Sequence, residues 1–268
     1  MPALHRSHNG TERDGHGRPR RPAGLVWAGQ RIMVRAMLDL SLLGRLQFRH
    51  AAPTRPPLPP GRHDLGLFEE RDYVLVVPEG IDPARPTPLV TLFHGGGGFA
   101  EKIMPIMRTH AETHGFLLLV PQSLFPTWDI VIAGNGPDRE RLDIGLAEVA
   151  SRFALDPTHF AFAGHSDGGS YSLSTGLSNG HLVTHILAFS AGFMTVLAQE
   201  GAPKVFIAHG QQDTQTPIDS AGRAHAAKLR RAGYELTYVE HPGPHASQPD
   251  MVKLGVEYFL KGLARAAG

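Results

Sequence analysis

The sequence contains no cysteine among its 268 residues. This absence excludes a disulfide scaffold, a thiolate nucleophile, an iron–sulfur cluster and any zinc site built on cysteine. Long apolar runs are missing as well, since no stretch approaches the roughly 18 residues that a membrane-spanning helix requires. We therefore expect no membrane span, and we expect a cytoplasmic protein because the chain shows no convincing secretory signal.

Charge is divided unevenly along the chain, although the net charge is only +1. Residues 1–66 hold 11 Arg against 4 acidic residues, whereas residues 67–268 hold 15 Lys and Arg against 21 acidic residues. We predict that 1–66 is a basic, Arg- and Pro-rich extension, largely disordered, with the apolar spacing of one amphipathic helix in 23–50. We predict that 67–268 forms the folded domain, and that a chain starting near His63 keeps its fold and activity.

The basic extension is open to several interpretations. Its many Arg and few acidic residues suit a transit-type peptide, but Ser is scarce there. Its charge suits nucleic acid or another acidic surface, yet no recognised nucleic-acid motif accompanies it, so we expect no nucleic-acid partner. The remaining interpretation is a dispensable tail, translated upstream of a later start such as Met33 or Met37.

From residue 67 onward, short apolar runs alternate with segments of helical periodicity. The predicted strands are 73–77, 89–93, 116–120, 159–163, 185–190, 204–209 and 235–240. The predicted helices are 100–113, 139–153, 166–177, 220–232 and 245–263. This alternation predicts an α/β fold with a mostly parallel sheet and helices on both faces. Ligands on such sheets bind beyond the carboxyl ends of the strands, so those positions carry the functional argument.

A candidate nucleophile follows the predicted strand 159–163. Residues 164–168 read GHSDG and match G-x-S-x-G, with a strand before the serine and a helix after it. A second match, at 176–180, lacks a preceding strand, so we expect Ser178 to be structural. We assign Ser166 as the nucleophile, against the alternative of a surface serine in a Gly-rich turn.

The partners that a serine nucleophile requires occur at two later strand ends. A neighbouring imidazole must take the hydroxyl proton, and a carboxylate must orient the imidazole. Asp213 follows strand 204–209, and its competitor Asp219 suits a helix cap better. His241 and His245 both follow the last strand, and we favour His245 because its loop can reach across the strand tips.

A Gly-rich loop after the second predicted strand suggests an oxyanion hole. Residues 94–98 read HGGGG, and glycines let backbone N–H groups approach a substrate oxygen. We expect one donor from Gly96 or Gly97 and the other from Asp167, the residue after the nucleophile. No Lys-Ser/Thr pair follows the glycines, which disfavours a phosphate loop. His181 and His185 have H-x-x-x-H spacing, but the glutamate of a metalloprotease motif does not follow His181. We therefore expect neither a metal nor a cofactor.

Taken together, these motifs resemble the α/β-hydrolase superfamily. The similarity runs from about residue 68 to 265 and is closest to small esterases grouped with polyhydroxybutyrate depolymerases, feruloyl esterases and the phospholipase/carboxylesterase family. The segments that carry it are LVTLFHGGGG, LLLVPQS followed by Trp128, DIGLAEVASRFALDPTHFAFAGHSDGG, FIAHGQQDTQTP and YVEHPGPHAS. The Cys pairs and signal peptide of secreted members are missing, and residues 1–66 match nothing in this group.

The resemblance implies carboxylic-ester hydrolysis with Ser166, Asp213 and His245 as a catalytic triad that forms an acyl-enzyme. It also suggests that Trp128 and Asp143 lie near, or brace, the acyl site. Only thirteen residues separate the predicted strands on either side of 191–203, so we expect no large lid domain. We expect an open site lined by apolar loop residues, which are Phe99, Phe125, Trp128, Phe193 and Met194.

An open site favours small or short-chain acyl esters, and the expected partner is a small-molecule ester. The same triad could serve a polyhydroxyalkanoate depolymerase, a thioesterase, a peptidase or an acyltransferase. A hydrolase-like binding module without catalysis is the alternative from a different class. The joint presence of serine, acid, histidine and oxyanion glycines argues against that module.

Overall fold

An eight-stranded sheet organises the residues that the structure describes. The computed structural model describes residues 44–83, 85–132 and 136–263. The strands are β1 (Gly61–Asp64), β2 (Val74–Val77), β3 (Thr87–Phe93), β4 (Leu117–Val120), β5 (Leu155–His165), β6 (His185–Phe189), β7 (Lys204–Gly210) and β8 (Leu236–His241). Their order across the sheet is β1-β2-β4-β3-β5-β6-β7-β8. β1 and β2 are antiparallel to their neighbours, and the other strands pair in parallel.

Helices connect the strands and cover both faces of this sheet. They are α1 (Ala100–Ile103), α2 (Pro105–His114), α3 (Asp129–Ile132), α4 (Pro137–Arg152), α5 (Asp167–Ser178), α6 (Ala224–Arg231) and α7 (Pro249–Phe259). A π-helical segment, Asp219–Arg223, leads into α6. Proline at the first position starts α2, α4 and α7, where its missing N–H leaves no helical bond unmade.

The core consists of two apolar layers, one on each face of the sheet. Strand β3 has the sequence TPLVTLF and is buried along its whole length, as expected for a strand covered on both sides. One layer packs the sheet against α4, α5 and α6, and the other packs it against α1, α2 and α7. The mostly parallel sheet with helices on both faces is therefore confirmed.

The predicted elements and the observed ones differ mainly at their ends. Each of the seven predicted strands is present, and β5 extends furthest beyond its prediction. The predicted helix 100–113 is interrupted at Met104, because Pro105 begins a new helix there. β1 and α3 were not predicted. Between β6 and β7 the described chain contains neither helix nor strand, so no lid domain lies there.

Residues 44–60 correct the expected domain boundary. Leu46 and Phe48 are buried in the same apolar layer as α4 and α5. The Asn179 side chain accepts a hydrogen bond from Leu46 N at 2.7 Å and donates one to Gly44 O at 2.7 Å. Residues 44–50 are not helical, so this part of the predicted helix 23–50 is wrong.

The folded unit therefore begins before residue 66, where the boundary was expected. By their contacts, the described residues 44–60 belong to the same unit as the sheet. The remaining predictions for the basic extension, disorder and most of the helix 23–50, fall on residues 1–43 and lie outside the described residues. Across residues 44–263, as far as the structure describes them, no helix has the length and hydropathy to cross a bilayer.

Candidate active site

Ser166 occupies a sharp turn between β5 and α5. Its backbone has φ 57° and ψ −122°, a conformation that non-glycine residues rarely adopt. The turn is tight because glycines stand on both sides of it. A Cβ on Gly164 would lie 2.3 Å from Gly168 O, and a Cβ on Gly168 would lie 2.1 Å from Phe93 O. The strained serine therefore projects from the carboxyl end of a central strand, as the sequence predicted.

The predicted acid and histidine are in direct contact. His245 Nδ1 donates to Asp213 Oδ2 over 2.7 Å. Asp213 lies in the turn after β7, and His245 lies in the loop between β8 and α7. The Asp213 side chain is fully buried and that of His245 is 7% exposed. The bond leaves the second ring nitrogen, Nε2, free to act as a base.

Asp213 is held ionised by a set of hydrogen bonds. Burial opposes its charge, but bonds from the Thr216 backbone, His245 and the Thr216 hydroxyl outweigh burial and lower the pKa of Asp213 to about 2. The N–H groups of Gln215 and Thr216 donate to Oδ1 at 3.0 and 2.8 Å. His209 Nε2 lies 3.3 Å from Oδ2. A carboxylate in this environment orients an imidazole and favours its protonated form.

A cavity of about 360 Å³ brings Ser166 and His245 to one surface. Its lining comes from the loop after β3, from α1 and α2, and from the loops that carry the candidate residues. The lining residues are His94, Gly95, Gly96, Gly98, Lys102, Ile103, Ile106, His165, Ser166, Gln215, His245 and Ser247. Within the described residues, Ser166 Oγ makes no hydrogen bond to His245. A catalytic bond of this kind often tightens only when substrate is bound.

The two candidate oxyanion donors Gly96 and Asp167 are neighbours. A Cβ on Gly96 would lie 2.7 Å from Asp167 Oδ2. Gly96 lines the cavity, and Asp167 is the first residue of α5, where an N–H has no partner within the helix. The structure corrects the choice of Gly97: its N–H donates to Pro126 O at 2.7 Å and is therefore already engaged.

His94, at the start of this glycine loop, is fixed as a neutral imidazole. Its Nδ1 lies 2.8 Å from Gly95 O, and its Nε2 accepts a hydrogen bond from Ser123 N at 3.2 Å. These partners assign the proton to Nδ1. Burial lowers the pKa of His94 to about 4, so the ring stays neutral near pH 7. Trp128 Nε1 donates to His94 O at 2.8 Å and holds the peptide that leads into the loop.

The structure places the predicted substrate contacts outside the lining of this cavity. Trp128 is 1% exposed and packs against Phe93 and Tyr171, so it braces the loop from within the core. Phe99 is 45% exposed and does not line the cavity. The other residues expected in the lining are also absent from it, namely Phe125, Phe193 and Met194. Lys102, Ile103 and Ile106 form the wall instead.

Asp143 lies away from the candidate site. Its Oδ1 accepts hydrogen bonds from Gln47 N and Phe48 N, both at 2.8 Å, so it anchors the segment that precedes the sheet. The wall residues Lys102, Ile103 and Ile106 were not predicted from the sequence, because no motif marks α1 or α2 as more than a helix. The signal was present, since a helix that follows the glycine loop directly must begin beside it.

The alternative residues considered from the sequence have other surroundings. The buried Ser178 hydroxyl donates to Ser174 O at 2.9 Å, a local helix bond. Asp219 is exposed and pairs with Arg223 at 2.8 Å. His241 ends β8 but makes no hydrogen bond to Asp213 within the described residues. No group of three metal-ligating side chains occurs in the part of the chain that the structure describes.

Comparison with known proteins identifies relatives that are esterases. Feruloyl esterase C of Emericella nidulans is 26% identical over 157 residues, 56% of this chain and 57% of that relative. Probable feruloyl esterase C of Aspergillus oryzae is 23% identical over 222 residues, 79% of this chain and 80% of that relative. The structure of Thermogutta terrifontis esterase 2 is similar with a TM-score of 0.62 and 17% identity, over 84% of this chain and 99% of the other. No protein-family model matches the chain.

The matched region thus spans little more than half the length of the first feruloyl esterase. The structural likeness, at low identity and over nearly the whole of the other chain, concerns the fold. The predicted fold class is confirmed, and these relatives support the resemblance to esterases that the sequence showed.

Proposed function

We propose that this chain, which has the α/β-hydrolase fold, is a serine carboxylesterase acting on small esters. The observation that carries the proposal is the 2.7 Å bond between His245 and Asp213, beside a strained Ser166 on the same cavity. A surface serine in an ordinary turn would need neither the strain nor the buried, ionised acid. The esterase relatives support the same reaction class.

In the proposed mechanism, Ser166 Oγ attacks the ester carbonyl carbon while His245 Nε2 accepts the hydroxyl proton. Asp213 holds the imidazole through Nδ1 and stabilises its charged form. The tetrahedral oxyanion accepts hydrogen bonds from the N–H groups of Gly96 and Asp167. His245 then protonates the departing alcohol, and an acyl-enzyme remains on Ser166. Water attacks the acyl-enzyme with the same proton transfers and releases the acid.

The shape of the cavity supports a small substrate. A volume of about 360 Å³ is at the lower end for small-molecule sites. Ile103 and Ile106 offer an apolar wall to an acyl or aryl group, and no lid encloses the site in the described residues. Since the curated relatives are feruloyl esterases, a feruloyl ester belongs in the first substrate panel. Polyester, thioester and acyl-transfer substrates complete that panel as alternatives.

A fluorophosphonate probe tests the proposal, because it labels a serine only when that serine is activated. We expect the wild-type protein to be labelled and to hydrolyse a short-chain nitrophenyl ester. Ser166→Ala should abolish labelling and lower kcat by at least about 10³-fold. Ser178→Ala is the matched control, since it alters the sequence's second G-x-S-x-G match, and it should leave both measurements nearly unchanged.

If Ser166→Ala retained wild-type turnover, or if the folded wild-type protein resisted the probe, the assignment of Ser166 as nucleophile would be lost. The second result would favour a binding module. The acyl preference is then measured with nitrophenyl esters from acetate to laurate, a feruloyl ester and a matched thioester. We expect kcat/KM to decrease as the acyl chain of the nitrophenyl ester lengthens.

A further inference from the structure

Strand β2 brings residues from an unexpected part of the sequence to the candidate site. It runs antiparallel to β4, with Val74 opposite Val120. The residues before β2 therefore lie at the same edge of the sheet as the carboxyl ends of the parallel strands. Arg71 stands at this position, and no motif in the sequence singles it out.

The guanidinium of Arg71 joins the two loops that form one side of the site. Its Nη2 donates to Gly98 O at 2.9 Å, at the end of the glycine loop. Its Nε donates to Ser123 O, in the loop after β4. Nη2 also lies 3.4 Å from His94 Nε2, so it faces the side of the ring that carries no proton. One side chain thus contacts both ends of the segment 94–98.

The backbone of Arg71 is itself held in place. Its φ is 54°, a left-handed conformation that is costly for a residue with a side chain. Arg141 Nη2 donates to Arg71 O at 2.8 Å, and the Arg141 guanidinium stacks 3.7 Å above the Phe68 ring. A strained residue persists only where its surroundings impose the strain, and here they direct the side chain toward the loops.

The charged guanidinium of Arg71 lies in a half-buried position. Burial lowers the pKa of Arg71, Asp138 acts in the opposite direction, and the nearby charge of Arg141 lowers it further. An uncompensated cation would be unfavourable in such a position. The carbonyl oxygens of Gly98 and Ser123 satisfy it, and an arginine can bridge them because its donors have a fixed planar geometry.

We propose that Arg71 is a positioning residue that fixes the oxyanion loop, so that the Gly96 N–H keeps its direction. The inference rests on the proposed function for its catalytic consequence. That Arg71 holds the two loops together through Gly98 O and Ser123 O is a separate physical claim. Gly97 N already holds the middle of the loop on Pro126 O, and Arg71 fixes its far end. Without Arg71 the loop keeps its hydrogen bonds to Ser123, Pro126 and Trp128 but loses the bridge from Gly98 O to Ser123 O.

The test compares Arg71→Met and Arg71→Lys with Arg108→Met. Arg108 lies on α2 and pairs with Glu112 at 2.8 Å, and its side chain is 43% exposed, so it controls for the loss of an arginine that has no described hydrogen bond to the glycine loop. We expect Arg71→Met to lower kcat about 10- to 100-fold with less than about 3-fold change in KM, because a misplaced donor weakens the transition state. Arg71→Lys should be intermediate, since an ammonium keeps the charge but not the bridge.

Hydrogen–deuterium exchange of residues 94–98 provides a measurement that does not depend on activity. We expect these amides to exchange at least about 10-fold faster in Arg71→Met than in the wild-type protein or in Arg108→Met. Unchanged exchange together with an unchanged kcat, even with a lower Tm, would overturn the inference and leave Arg71 with a purely structural role. An inactive wild-type protein would instead overturn the proposed function. The exchange result would still show whether Arg71 fixes the segment 94–98.

Discussion

Gly164 illustrates how little space surrounds the turn that carries Ser166. A methyl group at this position would lie 2.3 Å from the backbone oxygen of Gly168, and neither backbone can move without separating β5 from α5. We expect Gly164→Ala to lower the free energy of unfolding by more than about 3 kcal/mol or to prevent folding. Urea unfolding measures this change.

Gly233→Ala is the control for that experiment. Gly233 has φ +81°, but a Cβ there would meet no atom within 4 Å. Only backbone strain should count, which is roughly 1–2 kcal/mol. Equal effects of the two substitutions would show that the close approach around Ser166 is less restrictive than the distances indicate.

Lys102 places a positively charged side chain on the wall of the candidate site. It is the one Lys, Arg, Asp or Glu among the described residues that line the cavity, and no ion pair with another described residue neutralises it. We expect Lys102→Gln to raise KM about 2- to 5-fold for an ester that carries a free carboxylate, such as a monoester of a dicarboxylic acid. Lys102 is exposed, so the solvent-screened attraction is modest.

The matched neutral ester of the same length is the internal control for Lys102. Its KM should change little in Lys102→Gln, and added salt should reduce the difference between the two esters in the wild-type protein. A variant that affected both esters equally would show that Lys102 contributes shape to the wall and not charge.

At the residue scale, the sequence predicted the residues whose position follows from strand order. Ser166, Asp213 and His245 follow three different strands, and the parallel sheet brings those ends to one edge. Gly96 and Gly97 could not be separated, because the choice depends on which N–H finds Pro126 O in another loop. Arg71 was missed because its approach requires the antiparallel direction of β2.

At the scale of elements, the segment before β1 is part of the folded unit. Leu46 and Phe48 are 2% and 5% exposed, and burying side chains of this size stabilises a fold by about 1.5–3 kcal/mol each. The bonds to Asn179 and Asp143 fix the same segment. We expect a chain starting at His63 to unfold at a Tm lower by about 10 °C or more than a chain starting at Leu43.

Differential scanning calorimetry of the two shortened chains measures the difference. Leu46→Ala in the longer chain is a milder version of the same change and should lower the Tm in the same direction. If the chain starting at His63 had the same Tm as the longer chain, the residues before His63 would add no stability despite their buried contacts. The boundary predicted from the sequence would then describe the stable unit correctly.

The elements themselves could be predicted where burial on both faces made the pattern strong. β3, β4 and β6 are buried along their whole length, and their predicted and observed bounds agree within two residues. β1 has the polar sequence GRHD and lies at the edge of the sheet, so only its pairing with β2 identifies it as a strand. Local sequence carries no signal for pairing of that kind.

At the scale of the whole molecule, buried histidines make folding sensitive to acid. Burial is the leading cause that lowers the pKa of four of them to about 4, and these are His94, His165, His185 and His225. An exposed histidine in an unfolded chain has a pKa of about 6.5. The unfolded chain therefore binds more protons than the folded protein between these values, and protonation favours unfolding.

The folded protein therefore loses stability as the pH falls. The stability associated with these neutral rings is complete above about pH 6.5 and is lost as the pH falls toward 4. His185 is 3% exposed and packs against Phe259, with ring centroids 5.3 Å apart, so phenylalanine can occupy its place. We expect His185→Phe to reduce the slope of the free energy of unfolding against pH. The reduction should be at most about 1.4 kcal/mol per pH unit.

Urea unfolding of His185→Phe and of the wild-type protein, at several pH values between 4.5 and 7, measures this slope. Each substituted histidine removes one proton-binding site from the difference between the folded and unfolded states, so His225→Phe should reduce the slope by a similar amount. The absolute stability of either variant can rise or fall with packing, but packing is independent of pH. An unchanged slope in both variants would therefore mean that these rings accept protons in the folded protein as readily as in the unfolded chain.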